Sequence, residues 1–423
     1  MNDASPEQLW SLTDERREAL VDFTRRLMRI PSLPGHEGDV AALVQTEMRR
    51  LAFDEVTADA VGNVVGRVRG GDGRTVALLS HLDQVDVGDE DKWPFPPFAA
   101  TVHEGAIWGR GAMDIKGPLA AQLYAAGALK ATGIPLPGDV LLASAVMEEI
   151  GGLGARHLAA SASLRADRVA DCVVVGEASG LDVSRGHRGR VELAVTVTGR
   201  AVHASVPARG VNPHAVLARL IARLPELAMS TDASLGPSTV TPTLYHCDQV
   251  SANVIPGRCT LHLDWRYVPA ESPDAIVARV QALLDECLVP GSRGQVRIAA
   301  KPWRTYTGHE QDLPALSPPF LRGADDPLIT AARDALASVF DRPVGVKTWG
   351  FTTDGGHLAA AGIPCLGFGP GQERLAHTVQ EHIAVDELVA GMVGYMALIW
   401  RLGQGWDGAR PTCRVSVDMP SSW

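Results

Sequence analysis

Apolar residues first recur at helical spacing over Leu20, Val21, Phe23, Leu27 and Met28, and Pro31 ends that run. A second helical pattern covers residues 40–53. The texture then becomes strand-like over 61–70 and 75–87. Val76 to Leu79 show no polar alternation, which suits a strand buried on both faces of a sheet. A helix over 117–131 leads to a buried strand over 139–149, and a helix over 155–164 leads to another over 172–179. Buried strands alternating with helices predict an α/β sandwich.

Near residue 188 the pattern changes. Residues 190–199, 239–247 and 257–268 alternate as half-exposed strands do, and 212–227 and 272–288 read as amphipathic helices. With a last strand at 295–300, the order is βαββαβ, the ferredoxin-like α+β unit with its helices on one face of an antiparallel sheet. A Pro-rich link at 313–327 returns the chain to α/β texture: a helix over 328–340, a strand over 363–369 and a final helix over 386–402. The expected division is therefore 1–187 and 303–408 for the larger domain, 188–302 for an inserted one, and 409–423 for an aperiodic tail.

The length of 423 residues agrees with two cores rather than one. A net charge of −10 disfavours nucleic acid or an anionic membrane as a main partner. No window approaches the roughly 18 apolar residues of a membrane span. The first twenty residues lack a basic head followed by an apolar run, so a cytoplasmic location is expected. Cys172, Cys247, Cys259, Cys287, Cys365 and Cys413 form no CxxC pair and read as reduced, structural thiols.

Four polar clusters follow apolar strands, at the strand ends where α/β sheets place their sites. They are His81-Leu82-Asp83, Asp114 in a Gly-flanked turn, Glu148-Glu149 before Gly151-Gly152, and Glu177. Spacing of two puts His81 and Asp83 on one side of an extended chain, where Asp83 can accept the spare ring N–H of a metal-bound histidine. Taken singly, a His-x-Asp is more often a satisfied surface pair, and adjacent glutamates are usually solvated. Four in order, each closing a buried strand, point to a metal site.

With these clusters on view, the chain resembles the zinc metallopeptidases that include acetylornithine deacetylase, succinyl-diaminopimelate desuccinylase, carboxypeptidase G and aminoacylase. The likeness runs from Arg29-Ile30-Pro31-Ser32 to the last helix. Phrases at 186–193, 199–212, 352–364 and 367–383 are most similar to the branch linked to selenium metabolism. The resemblance implies a mixed-sheet α/β/α, zinc-exopeptidase-like catalytic domain carrying an inserted ferredoxin-like lid and dimerisation domain. It implies two Zn²⁺ per subunit, with Mn²⁺ or Co²⁺ as substitutes. His81 and Glu177 would ligate one metal and Glu149 and His377 the other, with Asp114 bridging and the Asp114–Ile115 peptide cis. Glu148 would act as general base, and His203 of the lid would steady the developing oxyanion, often across a homodimer.

Asn253 and the arginines Arg266, Arg190 and Arg188 are the expected contacts to a small amino-acid-like substrate. Gly369-Pro370-Gly371 and Thr353-Asp354-Gly355 are expected to line the pocket floor. Lys116, His357 and His382 read as supporting residues. Residues 301–307 read as a pocket wall or a packed hinge. The expected activity is metal-dependent hydrolysis of an amide in an N-acyl amino acid or short peptide. An N-carbamoyl or ureido hydrolase is the alternative on the same scaffold, and a catalytically inactive binding relative is the alternative of another class.

Overall fold

The computed structural model describes residues 5–160 and 170–406. The expected tail and the last turn of the helix expected at 155–164 lie outside the described residues. Eight strands form the main sheet, in the order Glu55–Ala58, Val64–Val68, Val140–Ala145, Val76–His81, Cys172–Val175, Cys365–Gly367, Val183–Ser184 and Val346–Lys347. The four in its centre, from Val140–Ala145 to Cys365–Gly367, are mutually parallel. The pairing of Val64–Val68 with Val140–Ala145 is antiparallel, so the sheet is mixed.

The apolar strands meet two different cores because successive side chains point to opposite faces. Leu78, Leu142 and Val174 pack with Phe23, Leu123 and Met396 of the helices Arg17–Met28, Gly117–Ala131 and Val385–Gln404. Ala77, Leu79, Ala143 and Val175 face the other way, onto Leu158, Trp349 and Leu358. The result is three layers. Gly117–Ala131 is buried from Gly117 through Leu129, which explains its almost wholly apolar sequence; the buried exception, Gln122, bonds Ser80 and the Leu79 carbonyl.

The inserted segment forms a separate antiparallel sheet, ordered Thr239–Cys247, Arg258–Tyr267, Gly189–Thr198 and Arg293–Ile298. Leu316–Ser317 also pairs with Gly189–Thr198. Alternation puts Val191, Leu193, Val195 and Val197 on one face, against Val216 and Leu220 of the helix Pro213–Arg223 and Ile276 and Val280 of the helix Pro273–Cys287. Asn212 and Ser272 cap those helices by accepting from His214 N–H and Ala275 N–H. The strand order and helix placement are those of the βαββαβ unit.

A hairpin of Ala300–Arg304 with Glu310–Pro314 follows. Its tip is pinned where Tyr306 Oη donates to the Gly62 carbonyl at 2.8 Å and Thr307 Oγ1 to that of Ala60 at 2.8 Å. Among the described residues no helix is long and apolar enough to cross a membrane.

Candidate metal centre

Parallel register brings the four sequence clusters together. His81 lies opposite Ala145, and Leu79 opposite Val175, so His81, the Glu148-Glu149 turn and Glu177 all emerge at the carboxyl ends of neighbouring strands. Asp114 reaches the same place from an irregular turn before the helix Gly117–Ala131, and the Asp114–Ile115 peptide is cis. His377 arrives from the loop after Cys365–Gly367, with a left-handed backbone at φ 61°. Met147, just before the two glutamates, is also left-handed at φ 57°. Such backbones are uncommon for residues other than glycine and cluster at functional sites.

Two overlapping donor groups result. His81, Asp114 and Glu177 form one and Asp114, Glu149 and His377 the other, with the ligand atoms of each within 4.8 Å of one another. Asp114 belongs to both. Its Oδ1 lies 3.2 Å from His81 Nε2 and its Oδ2 lies 3.2 Å from His377 Nε2. Glu177 Oε1 is 3.5 Å from His81 Nε2, and Glu149 Oε2 is 3.1 Å from His377 Nε2.

Electrostatics matches this geometry. Burial pushes Glu148 well above the usual carboxylate range, raises Glu149, and lifts Glu177 to about 7. Burial also acts to raise Asp114, but the hydrogen bonds from His377 and His81 outweigh it and hold that carboxyl low. Burial acts to depress His81, yet its bonds to Asp114, Asp83 and Glu177 lift it well above the ordinary imidazole range. Hydrogen bonds to Asp114 and Glu149 raise His377 to about 10. The cluster thus gathers protons to offset its carboxylates, and cations would take over that task. One imidazole with two carboxylates at each position, free of thiolate, suits a borderline metal kept Lewis-acidic.

The supporting contacts differ from expectation at Asp83. His81 Nδ1 makes its close bond, 2.9 Å, with the backbone carbonyl of Asp83, while the carboxylate Oδ1 is 3.5 Å away. The Asp83 carboxylate instead accepts two backbone N–H groups at 3.0 Å each, Glu148 to Oδ1 and Glu149 to Oδ2. Asp83 therefore locks the turn that presents both glutamates. Asp83→Asn would keep one acceptor oxygen and set an amide N–H against the other backbone donor. We expect it to weaken metal binding roughly 10–100-fold, as losing an outer-shell partner does. Wild-type affinity in a metal titration would show that the turn needs no such lock.

Further supports carry no sequence motif. Glu381 is fully buried and accepts from the N–H groups of Met113 and Asp114 through Oε1 at 3.2 and 3.3 Å, while Oε2 pairs with Arg110 at 2.6 Å. Glu37, also buried, accepts from Met147 N–H at 3.2 Å. Lys116 is buried and donates to the Ile30 carbonyl and to Gln84. His357 and Asp354 lie under Gly152, where an added Cβ would come within 2.6 Å of both side chains. His382 stacks on Trp108 at 4.1 Å, a structural contact.

Gly369 packs closely beside the strand end that bears Glu177. A Cβ there would lie 2.5 Å from the Glu177 carbonyl oxygen and 2.6 Å from that of Gly176, so its missing side chain lets the loop seat against the strand end bearing Glu177.

The lid residues divide. His203 and Asn253 come together on a two-stranded ribbon, where His203 faces Val254 and the Ala204 N–H donates to the Asn253 carbonyl at 2.8 Å. His203 is exposed, and its Nδ1 bonds Ser205 Oγ at 2.7 Å. Among the described residues no hydrogen bond or ion pair joins His203 or Asn253 to the metal cluster. Arg190 and Arg266 are cross-strand partners, and both are engaged by Asp264: Arg190 Nε with Oδ2 at 2.6 Å and Arg266 Nε with Oδ1 at 2.7 Å. Arg188 donates to the Pro237 carbonyl at 2.9 Å. These contacts tie the three arginines to the lid.

The sequence pattern of peptidase family M20/M25/M40 matches residues 77–401, most of the chain and every candidate ligand. The chain belongs to this family. It is 31% identical over 359 residues to succinyl-diaminopimelate desuccinylase from Alkalilimnicola ehrlichii, covering 82% of this chain and 89% of the relative. It is 29% identical over 387 residues to the protein YgeY from Escherichia coli (strain K12), covering 90% and 94%. The fold is also that of the di-peptidase Dug1p from Saccharomyces cerevisiae, with TM-score 0.75 at 16% identity over 95% of this chain and 99% of that one. As an M20/M25/M40 member it is an enzyme, a metallohydrolase whose large mixed sheet carries the candidate ligands.

Proposed function

We propose that the enzyme hydrolyses an amide bond in a small N-acyl amino acid or short peptide, using two Zn²⁺ ions. The observation that carries this reading is Asp114, with one carboxylate oxygen on each His-containing donor group. Two metal ions held there would acidify a shared water and polarise the scissile carbonyl. Glu148, next to the ligand Glu149, is the general base that takes the proton from the attacking water and passes it to the leaving amine. Asp83 orients both glutamates through their backbone N–H groups.

His203 is the oxyanion donor in this proposal. Its exposure on a lid ribbon fits delivery by lid movement or from the partner in a homodimer. Asn253, beside it, is proposed to reach the substrate carbonyl or carboxylate. Mixing inactive His203→Ala protein with inactive Glu148→Gln protein restores part of the activity if the site is shared between subunits; no restoration would place His203 in its own chain's site.

Relatives named for desuccinylation and dipeptide cleavage support an amide substrate next to an amino-acid-like group. The test is amine release by the metal-loaded enzyme from a panel of N-acetyl, N-succinyl, N-carbamoyl and dipeptide substrates. Turnover confined to N-carbamoyl compounds would replace this reading with the ureido alternative. Turnover of none, with two metals bound, would favour a binding role.

A further inference from the structure

The lid carries a second cluster of metal-capable side chains outside the catalytic centre. His214, Cys247 and Cys259 place their donor atoms within 4.8 Å of one another. The sequence hides this because the three residues sit on three elements. Cys247 and Cys259 face each other across the strands Thr239–Cys247 and Arg258–Tyr267. On the next rung Asp248 N–H donates to the Arg258 carbonyl at 3.1 Å. The cysteine pair therefore occupies a non-hydrogen-bonded position, where facing side chains approach most closely.

His214 comes from the first turn of the helix Pro213–Arg223, placed there by the Asn212 cap. Its Nδ1 bonds the Tyr245 hydroxyl at 2.6 Å, two residues before Cys247 on the same strand. That contact uses Nδ1 and fixes the ring, as a second partner does for metal-bound histidines. Cys259 Sγ lies 3.7 Å from Nδ1 and 4.0 Å from the remaining nitrogen, Nε2.

We propose that His214 Nε2 and the Cys247 and Cys259 sulfurs form a third metal site, in the lid, for a borderline or soft divalent cation such as Zn²⁺. Tetrahedral zinc, with bonds of about 2.3 Å to sulfur and 2.0 Å to nitrogen, sets its donors roughly 3.6–3.8 Å apart. The His214–Cys259 spacing is already near this value, and all three residues place donor atoms within 4.8 Å of one another, so closure of the cluster would bring them to it. The ion displaces the two thiol protons to solvent, and no oxidant takes part. Cys259 is buried and Cys247 exposed, so the fourth position opens to water. A bound ion would clip the exposed edge strand to the start of the helix. A Cys247–Cys259 disulfide is the rival use of the pair, but it would leave the fixed imidazole without a purpose. The proposal stands on lid residues alone and does not rest on the catalytic assignment.

Cobalt tests it, because the catalytic donors include no sulfur and thiolate-to-Co²⁺ charge transfer reports the lid site alone. Full-length protein, reduced and stripped of metal, is titrated with Co²⁺ and followed in the near ultraviolet. The expected result is a charge-transfer band that saturates at one ion per chain and is bleached by Zn²⁺. Cys247→Ser removes most of the band and one metal equivalent, while amide hydrolysis is unchanged. His214→Ala weakens Co²⁺ binding at this site at least roughly tenfold. No band in the folded, reduced protein, or a band indifferent to Cys247→Ser, would overturn the proposal. So would a Cys247–Cys259 disulfide found by mass spectrometry, if no band appears once it is reduced.

Discussion

Glu148→Gln is expected to lower turnover roughly 10²–10⁴-fold while both metal ions stay bound. The substitution keeps the size of the side chain and removes only its ability to take a proton. The ligand Glu149 is untouched, and so are the two backbone N–H groups that Asp83 accepts, since neither belongs to the replaced carboxyl. Burial lifts the Glu148 carboxyl well above the usual carboxylate range. Steady-state kinetics with metal analysis on the same sample provides the check. Loss of metal in proportion to activity would make Glu148 a ligand or a scaffold. Full activity would move the base elsewhere.

Removing Asp114 should have the other large effect, of a different kind. Each of its oxygens meets a different histidine, so Asp114→Ala takes one donor from both groups at once. Each position is left with one imidazole and one carboxylate, too few for a stable site. Metal affinity should fall by more than the roughly 10–100-fold that follows loss of an outer-shell partner, with turnover falling alongside it. Calorimetric titration of Zn²⁺ into the stripped variant measures this. Two ions bound at wild-type affinity would show that Asp114 does not bridge. The contrast with Glu148→Gln separates the two roles: one variant loses chemistry with metal in place, the other loses the metal.

His81, the Glu148–Glu149 pair and Glu177 were legible as candidate ligands in the sequence because each follows an apolar, strand-forming run, and parallel strands bring such ends to one edge. Which of the two adjacent glutamates would ligate came from the family resemblance. Asp114, in a Gly-flanked turn, was the fourth of these clusters, whereas His377 lies on an irregular turn and only the family resemblance pointed to it. Glu381 and Glu37 were invisible for a physical reason. A buried carboxylate is identified by its partners, and the backbone N–H groups they bind lie 267 and 110 positions away. The pairing of Arg190 and Arg266 was not legible, because a guanidinium in an alternating strand looks the same whether it is free or held by a carboxylate such as Asp264, across the strand pair from Arg190 and two residues before Arg266.

Some of the protein is decided by local order along the chain. Period-2 and helical patterning separate a sheet buried on both faces from a lid sheet buried on one, and strand-end carboxylates and histidines mark where metal chemistry belongs. Tertiary structure alone decides which oxygen faces which nitrogen. It turns Asp83 from a partner of a histidine ring into the lock of the Glu148–Glu149 turn. It also brings His214 over two cysteines that the sequence shows only as scattered thiols. Periodicity records which face a residue takes, whereas a hydrogen bond or metal site depends on distances between elements, which only folding sets.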